Sequence, residues 1–275
     1  RGLTFAVLAT LTLAPALCHG QSVVSRTALL VLDPVKEEKP SESQPDIASR
    51  SQHASFRHGP VPYAINYHVT TDRKKPQEVL WTEGYLGMPG PTSCNWYGGG
   101  FLFLTLNGKD IGRTPLSSMR AAETTGRATL DLVWRHELAD VRVRLVGLPE
   151  QDYLLCDIAI DRKPALQSVQ AELRCYPSFF TAWHKRTGAR RVQTPSVLVT
   201  EGETRQLPPT ENWWALYYDE VFDVAKGEGE GPCALLVLPE DVASVTSAPG
   251  GYAVVTRLAL APGAQRLRLA FWDFK

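Results

Sequence analysis

Two groups of aromatic residues have the type and spacing that suit binding to a flat, partly apolar ligand. They are Trp96 with Tyr97, just before Gly98-Gly99-Gly100, and Trp213 with Trp214, Tyr217 and Tyr218. Aromatic rings combine an apolar face with a polar edge, which fits the CH-rich faces of sugars. In a strand, alternate residues of the second group point to opposite sides, so one half of the group is expected in the core. The three glycines indicate a bend or a close approach of the backbone.

A basic stretch and an acidic stretch form a second set of candidates. The basic residues are His184, Lys185, Arg186, Arg190 and Arg191, and the acidic ones are Asp219, Glu220, Asp223, Glu228 and Glu230. A guanidinium can bind the carboxylate of an acidic polysaccharide, and His184 or Tyr218 could then take the proton beside that carboxylate. The alternative is that these loops are solvated or pair with each other, since exposed ion pairs contribute little free energy.

Signatures of other chemistries are weak or missing. A glycosidase needs two carboxylates about 5 to 10 Å apart. The sequence gives no separation for the candidates, which are Glu137, Asp140, Asp157, Asp219 and Asp223. His136-Glu137 lacks the second histidine of a helical zinc motif, and no Gly-x-Ser-x-Gly segment occurs. We therefore predict no metal site and no cofactor.

The charge balance argues against two classes of partner. The chain has 29 basic and 29 acidic residues and a formal net charge of zero. Such a chain has no global field to attract nucleic acid or an anionic membrane surface. Neither partner is expected, whereas the aromatic groups favour a carbohydrate ligand.

Residues 1–20 have the pattern of a secretory signal peptide. After Arg1, an uncharged run from Leu3 to Leu17 ends in the small-residue stop Cys18-His19-Gly20. The run is shorter than the roughly 20 residues that a membrane span needs. Leu17 disfavours lipid anchoring at Cys18, because a lipoprotein signal places a small residue there. Since the first residue is Arg and not Met, we expect the true start of the chain to precede it. The leader also predicts a secreted or periplasmic protein that has no integral membrane segment after cleavage.

The rest of the chain divides into a polar leader and a β-rich part. Residues 21–56 are polar and broken by prolines, which predicts a flexible linker with one short strand at Ala28 to Leu32. From 57 to 275, short β-rich runs alternate with turn residues, as in Val141 to Leu145, where every second residue is arginine. This pattern predicts a single all-β domain, an antiparallel β-sandwich or super-sandwich with long loops.

Turn residues predict how some strands connect. Pro262-Gly263 would join the strand from Tyr252 to Leu260 with the strand up to Phe271 in a closing hairpin. If residues 161–166 form another hairpin loop, Cys156 lies opposite about residue 171, and a direct bridge to Cys175 would strain the ladder. The pairing of Cys94, Cys156, Cys175 and Cys233 stays open, because both buried thiols and disulfides fit a chain of this size.

Residues 128–274 combine a regular rhythm of short strands with the runs Val-Arg-Val-Arg-Leu at 141–145, Leu-Pro at 148–149, Tyr-Leu-Leu-Cys-Asp at 153–157 and Leu-Arg-Cys-Tyr-Pro-Ser at 173–178. In this rhythm the region resembles galactose-mutarotase-like proteins and the sandwich domains of carbohydrate-active enzymes. The resemblance implies a large antiparallel super-sandwich and a link to sugars. It covers little more than half of the chain, and no position matches the catalytic His and Glu of an aldose epimerase.

The leading hypothesis is a secreted carbohydrate-interacting β-sandwich, either a binding module or a non-catalytic relative of sugar-active enzymes. The residues expected to stack on sugar are Trp96, Tyr97, Trp213 or Tyr217, and those expected to make polar contacts are His184, Arg186, Tyr218 and Asp219. One alternative is a carbohydrate-active enzyme, such as a polysaccharide lyase that uses Tyr218 or His184 with Lys185 or Arg186. Another is a structural cell-envelope protein whose aromatic residues are simply core.

Overall fold

The computed structural model describes residues 29–38, 42–43, 45–81, 85–88, 96–177, 189–219 and 232–274. These residues form strands joined by turns and by short 3-10 segments at Ile111–Arg113 and Pro239–Asp241. The strands are β1 (Leu30–Leu32), β2 (Lys36–Glu38), β3 (Ile47–Phe56), β4 (Tyr63–Asp72), β5 (Lys75–Trp81), β6 (Leu86–Gly87), β7 (Leu102–Leu106), β8 (Lys109–Asp110), β9 (Ser118–Thr124), β10 (Arg127–Arg135), β11 (Ala139–Gly147), β12 (Tyr153–Arg162), β13 (Val169–Cys175), β14 (Arg190–Gln193), β15 (Leu198–Thr200), β16 (Arg205–Leu207), β17 (Trp214–Asp219), β18 (Cys233–Val237), β19 (Val242–Pro249), β20 (Val254–Leu260) and β21 (Arg266–Asp273). Within the described part of the chain, no helix is long and apolar enough to cross a membrane.

The strands form three antiparallel sheets. The nine-stranded sheet has the order β15-β14-β17-β18-β21-β12-β11-β10-β9. The opposing sheet has the order β16-β19-β20-β13-β7-β8, and the N-terminal sheet has the order β1-β3-β4-β5, with β2 on β3 and β6 on β4. The prediction of an all-β antiparallel sandwich is confirmed.

Both smaller sheets pack on one face of the nine-stranded sheet. Trp134 on β10 and Tyr217 on β17 lie on this inner face, because directly paired residues of the intervening strands point to the same side. The ring of Tyr67 on β4 lies 6.5 Å from that of Trp134, and the Tyr217 hydroxyl lies 2.9 Å from the Thr256 hydroxyl on β20. The inner face therefore forms one continuous core with both smaller sheets.

The side-chain alternation on β11 shows how the sequence assigns the two faces. Val141, Val143 and Leu145 are buried, whereas Arg142 and Arg144 between them are half-buried on the outer face. This is the period of two predicted for these residues, since successive side chains of a strand point to opposite faces. The arginines therefore line the outer face of the nine-stranded sheet.

Residues 30–56 contain three strands where the sequence predicts a flexible linker. β3 pairs with β4 along its whole length, from Ile47 opposite Asp72 to Phe56 opposite Tyr63. Ala54 and Phe56 are fully buried, and the other side chains of β3 are half-buried. A polar strand is stable here because β4 contributes an alternating set of buried apolar side chains. The linker prediction is wrong for this part of residues 21–56, whereas residues 1–20, the predicted signal peptide, lie outside the described residues.

The Pro262-Gly263 turn connects two sheets and does not close a hairpin. β20 pairs with β13 and β19 in the opposing sheet, whereas β21 pairs with β12 and β18 in the nine-stranded sheet. Gly263 has a φ of 75°, which glycine adopts without strain. The hairpin prediction is wrong because the two strands lie in different sheets, and their largely apolar buried sides face each other across the sandwich.

The cysteines of the described residues are buried and form no disulfide with one another. β12 and β13 belong to different sheets, so Cys156 lies opposite Leu145 and Leu269 and not opposite residue 171. Burial raises the pKa of the Cys156 and Cys233 thiols, and the Cys233 thiol also contacts that of Cys175. A thiol that resists ionisation is a poor nucleophile, so these residues serve as core. Cys94 lies outside the described residues.

His58 is a buried histidine between the N-terminal sheet and the nine-stranded sheet. Its ring stacks on that of Tyr63 at 5.9 Å, and its Nε2 donates to the Tyr153 carbonyl at 2.9 Å. Its Nδ1 is buried without a hydrogen-bond partner among the described residues. Burial lowers the pKa of His58, and the Tyr153 carbonyl opposes this change. The folded protein therefore favours the neutral ring.

We expect the free energy of unfolding to fall as the pH drops below the unfolded histidine pKa of about 6.5. The reason is that the unfolded chain then binds a proton that folded His58 resists. His58→Gln removes this titration, so its midpoint of thermal unfolding should decline less between about pH 8 and about pH 5 than that of the wild type. An unchanged decline in His58→Gln would contradict the expectation.

Candidate functional site

Trp96 and Tyr217 are core residues. Both are 1% exposed, and their ring centroids lie 6.0 Å apart. The Trp96 ring also lies 4.9 Å from that of Phe271, and its backbone forms an isolated bridge with Cys175 at the end of β13, which places it inside the sandwich. The sugar-stacking role predicted for Trp96 and Tyr217 is wrong, because other core side chains cover their ring faces.

Trp213 is exposed and held in place. It is 45% exposed and directly precedes β17. The residue before it, Asn212, accepts hydrogen bonds from the Thr194 and Ser196 hydroxyls at 2.6 and 2.8 Å and donates to the Pro208 carbonyl at 3.1 Å. An exposed ring on a fixed backbone loses little entropy on binding. Trp213 thus has the geometry that stacking on a ligand requires.

The other residues of this aromatic group lie on the outer face of the nine-stranded sheet. Trp214 and Tyr218 are half-buried and alternate along β17 with the buried residues Tyr217 and Asp219. Tyr218 and Asp219 therefore point to opposite faces and do not share a site. The predicted combination of their side chains around one ligand is wrong, because adjacent strand residues face opposite ways.

Tyr97, Tyr176 and Tyr252 form a chain of contacting rings, here called the tyrosine cluster. The ring centroids of Tyr97 and Tyr176 lie 4.5 Å apart, and those of Tyr176 and Tyr252 lie 4.9 Å apart, with both pairs edge to face. The Tyr176 hydroxyl is hydrogen-bonded to the hydroxyls of both neighbours. Tyr176 is 1% exposed and Tyr252 is 62% exposed. A buried ring thus supports an exposed one.

Two glycines allow Tyr97 to take its place in the cluster. Gly100 has a φ of 139°, a conformation that residues with a side chain rarely adopt. A Cβ atom on Gly99 would lie 2.7 Å from Cζ of Tyr97, which is too close for two carbon atoms. The bend and close backbone approach predicted for the glycine run are confirmed.

Arg190 lies beside the tyrosine cluster. It is 1% exposed, and its Nη1 donates to the carbonyl of Gly250 at 3.1 Å and to that of Gly251, the residue before Tyr252. Its Nε and Nη2 have no hydrogen-bond partner among the described residues. The strand register places Arg190 directly opposite Asp219, which is 2% exposed. The site thus joins three tyrosines to a buried cation with unused donors.

The electrostatics of the cluster favour binding over proton abstraction. Burial raises the pKa of Tyr176, and its contacts with Tyr252 and Tyr97 raise it further. The phenol stays protonated at neutral pH, so it can donate a hydrogen bond but cannot act as a base. Within the described residues, no group of three or more His, Cys, Asp or Glu could hold a metal ion.

The structure separates the residues predicted from the sequence. Tyr97 belongs to the tyrosine cluster, and Asp219 lies opposite Arg190, which holds the turn beside it. Trp213 lies beyond the opposite end of β17, roughly 20 Å from Asp219 at about 3.3 Å per strand residue. His184 and Arg186 lie outside the described residues.

Sequence reasoning does not single out Arg190, Tyr176 or Tyr252 as members of one site. Arg190 belongs to the basic stretch, and Tyr176 belongs to the run Leu-Arg-Cys-Tyr-Pro-Ser. Tyr252 continues the period of two on β20 and on that pattern would be buried, yet it precedes the strand and is exposed. Only the contacts in the structure show that the three residues belong together. Tyr176 contacts Tyr252, and Arg190 binds the Gly250-Gly251 turn directly before Tyr252.

Three solved structures are weakly similar to this chain in their arrangement of strands. Heparan sulfate lyase HepC from Pedobacter heparinus, in a mutant form, is similar over 81% of this chain and 35% of its own, with a TM-score of 0.46 and 9% identity. The GH36 alpha-galactosidase AgaB from Geobacillus stearothermophilus is similar over 81% and 40%, with a TM-score of 0.41 and 10% identity. A protein from Klebsiella pneumoniae assigned as an aldose 1-epimerase is similar over 83% and 84%, with a TM-score of 0.43 and 11% identity.

These similarities concern the arrangement of strands only. The chain spans about a third of the lyase and two fifths of the galactosidase. The Klebsiella protein is similar over most of both chains. The sequence matches no protein-family model and no curated protein. The candidate site therefore has to be judged from the residues of this chain.

Trp96→Ala should lower the free energy of unfolding by about 3–5 kcal/mol, because it removes a large ring from a packed core. Trp213→Ala, the matched exposed position, should change it by less than about 0.5 kcal/mol. Urea unfolding followed by circular dichroism measures both values. Equal stabilities for the two variants would contradict the core position of Trp96.

Proposed function

We propose that this chain is a carbohydrate-interacting β-sandwich protein that binds sugar at the tyrosine cluster. The observation that carries the proposal is the exposed ring of Tyr252, which is supported by buried Tyr176 and adjoins the turn held by Arg190. An exposed aromatic ring on a fixed support can stack on a sugar face at little entropic cost.

Hydrogen-bonding groups beside the ring suit a ligand rich in hydroxyls. The cluster presents phenolic hydroxyls, which both donate and accept hydrogen bonds. Arg190 fixes the backbone before Tyr252, because its Nη1 donates to the Gly250 and Gly251 carbonyls. Both the apolar and the polar requirements of a sugar are thus supplied at one place.

The compartment is part of the proposal. A leader with the pattern of residues 1–20 would direct the protein out of the cytoplasm. The exported protein could then reach extracellular or periplasmic glycans. A reporter protein carrying residues 1–20 at its N-terminus, together with any preceding residues of the gene, should be exported and shortened. Retention of the full-length reporter in the cytoplasm would remove this part of the proposal and leave the binding function standing.

Tyr252→Ala should weaken glycan binding by about tenfold, because a stacked aromatic contact at a binding hot spot contributes more than about 1 kcal/mol. Tyr252→Phe keeps the ring and should retain most of the affinity. Glycan-array screening of the wild type, followed by calorimetric titration of the best ligand, measures the effect.

Trp213→Ala is the second arm of the same experiment. If it abolishes binding while Tyr252→Ala does not, the sugar site lies at the other end of β17 and the tyrosine cluster is not the site. If the wild type binds no oligosaccharide or polysaccharide, the carbohydrate function itself is refuted. The structural cell-envelope alternative would then stand.

A polysaccharide lyase activity is a separate prediction with its own assay. Such an enzyme would release unsaturated products from uronate polymers, and ultraviolet absorbance detects them. Tyr176 does not supply the base, because its pKa is raised by burial. Product formation would therefore indicate a base other than Tyr176, and the protein would then be an enzyme.

A further inference from the structure

A groove crosses the outer face of the nine-stranded sheet, on the side opposite the core. Its volume is about 560 Å³, and its lining includes Val133, Arg142, Ala159, Asp161, Gln265 and Arg266. This volume lies within the range of roughly 300–1,000 Å³ typical of small-molecule sites. The groove is thus large enough for one or two sugar units.

The strand register explains the shape of the groove. Arg142 on β11 lies opposite Val133 on one side and Ala159 on the other, and Ala159 lies opposite Arg266 on β21. Neighbouring strands are about 4.8 Å apart, so the two arginine backbones are separated by roughly 10 Å. The small side chain of Ala159 leaves a depression between two guanidinium-bearing positions.

Arg142 differs from the arginines around it. Arg144 makes a bidentate pair with Asp131 at 2.7 Å for both bonds, and Arg266 makes one with Asp157 at 3.2 and 2.7 Å. Arg142 has no ion pair or hydrogen bond through its side chain to any described residue, and its Nε is buried. The Nη1 and Nη2 donors of Arg142, which lines the groove, therefore have no partner among the described residues.

The carboxylates of the groove are placed to accept hydroxyl groups. Asp140 and Asp161 lie directly opposite each other on β11 and β12, and Lys163 pairs with Asp140 at 3.3 Å. Two like charges in register are unfavourable, and hydroxyl donors of a ligand between them would relieve this. The groove thus offers a cation for an acid group and acceptors for a hydroxyl-rich ring.

We propose that this groove binds the carboxylate of a uronic-acid residue through Arg142, with the ring seated over Ala159 and its hydroxyls on Asp140 and Asp161. A planar guanidinium matches a carboxylate in two parallel hydrogen bonds, which gives both affinity and orientation. The proposal rests on the carbohydrate-interacting function but uses residues separate from the tyrosine cluster, and it adds an acidic sugar as the ligand class.

The test is calorimetric titration with short oligomers of galacturonate, glucuronate and mannuronate, and with the methyl ester of each. We expect at least one free acid to bind and its ester to bind about tenfold or more weakly, because esterification removes a charge-assisted pair. Arg142→Gln should weaken the free acid to a similar degree without changing the ester. Arg142→Lys should give an intermediate loss, since it keeps the charge without the fork.

Arg127→Gln is the matched control, because it removes an exposed arginine at the far end of β10. It should leave the affinity unchanged. The proposal is overturned if no uronate oligomer binds, if acid and ester bind equally, or if Arg142→Gln and Arg127→Gln bind alike. Loss of binding in Tyr252→Ala with none in Arg142→Gln would support the tyrosine cluster and refute the groove, whereas the reverse result would refute the cluster and support the groove.

Discussion

The inner face of the nine-stranded sheet is the constraint on which the rest of the structure depends. It is long enough to bury two smaller sheets side by side, with Trp134 contacting Tyr67 of the N-terminal sheet and Tyr217 contacting Thr256 of the opposing sheet. Because both contacts lie on one continuous apolar surface, neither smaller sheet needs a separate core. The hydrophobic effect is roughly proportional to the area buried, so this shared face is the main source of stability.

This arrangement decides which aromatic residues are available for binding. A strand that crosses the shared face must bury every second side chain, which places Tyr217 and Phe271 in the core, where the Trp96 ring packs against both. Residues before a strand or in a turn escape that requirement. Trp213 and Tyr252 are exposed for this reason, and both candidate stacking rings therefore lie at strand ends rather than within strands.

The same alternation of side chains determines which residues lie on the outer face of the nine-stranded sheet, and their chemistry differs from that of the core. On β11, the residues Arg142 and Arg144 lie between buried apolar residues, and Arg144 lies between two carboxylates and pairs with Asp131. Arg142 instead lies between Val133 and Ala159, which cannot pair with it, and the small side chain of Ala159 does not cover it. These two apolar neighbours thus leave both the groove and a cation without an ion pair. The tyrosine cluster and the groove then lie on different parts of the protein and have different chemistry, one aromatic and one ionic.

The sequence by itself determined the all-β class and the buried face of strands such as β11, because a period of two is a local property of the chain. It also determined the bend at Gly98-Gly99-Gly100. It did not determine the partners of each strand: the polar strand β3 owes its order to its neighbour β4, and β20 and β21 lie in different sheets despite the turn that joins them. Only the tertiary structure brought Tyr97, Tyr176, Tyr252 and Arg190 together or placed Ala159 beside Arg142. Such contacts join residues far apart in the chain, and they depend on strand pairing and sheet packing that no local pattern encodes.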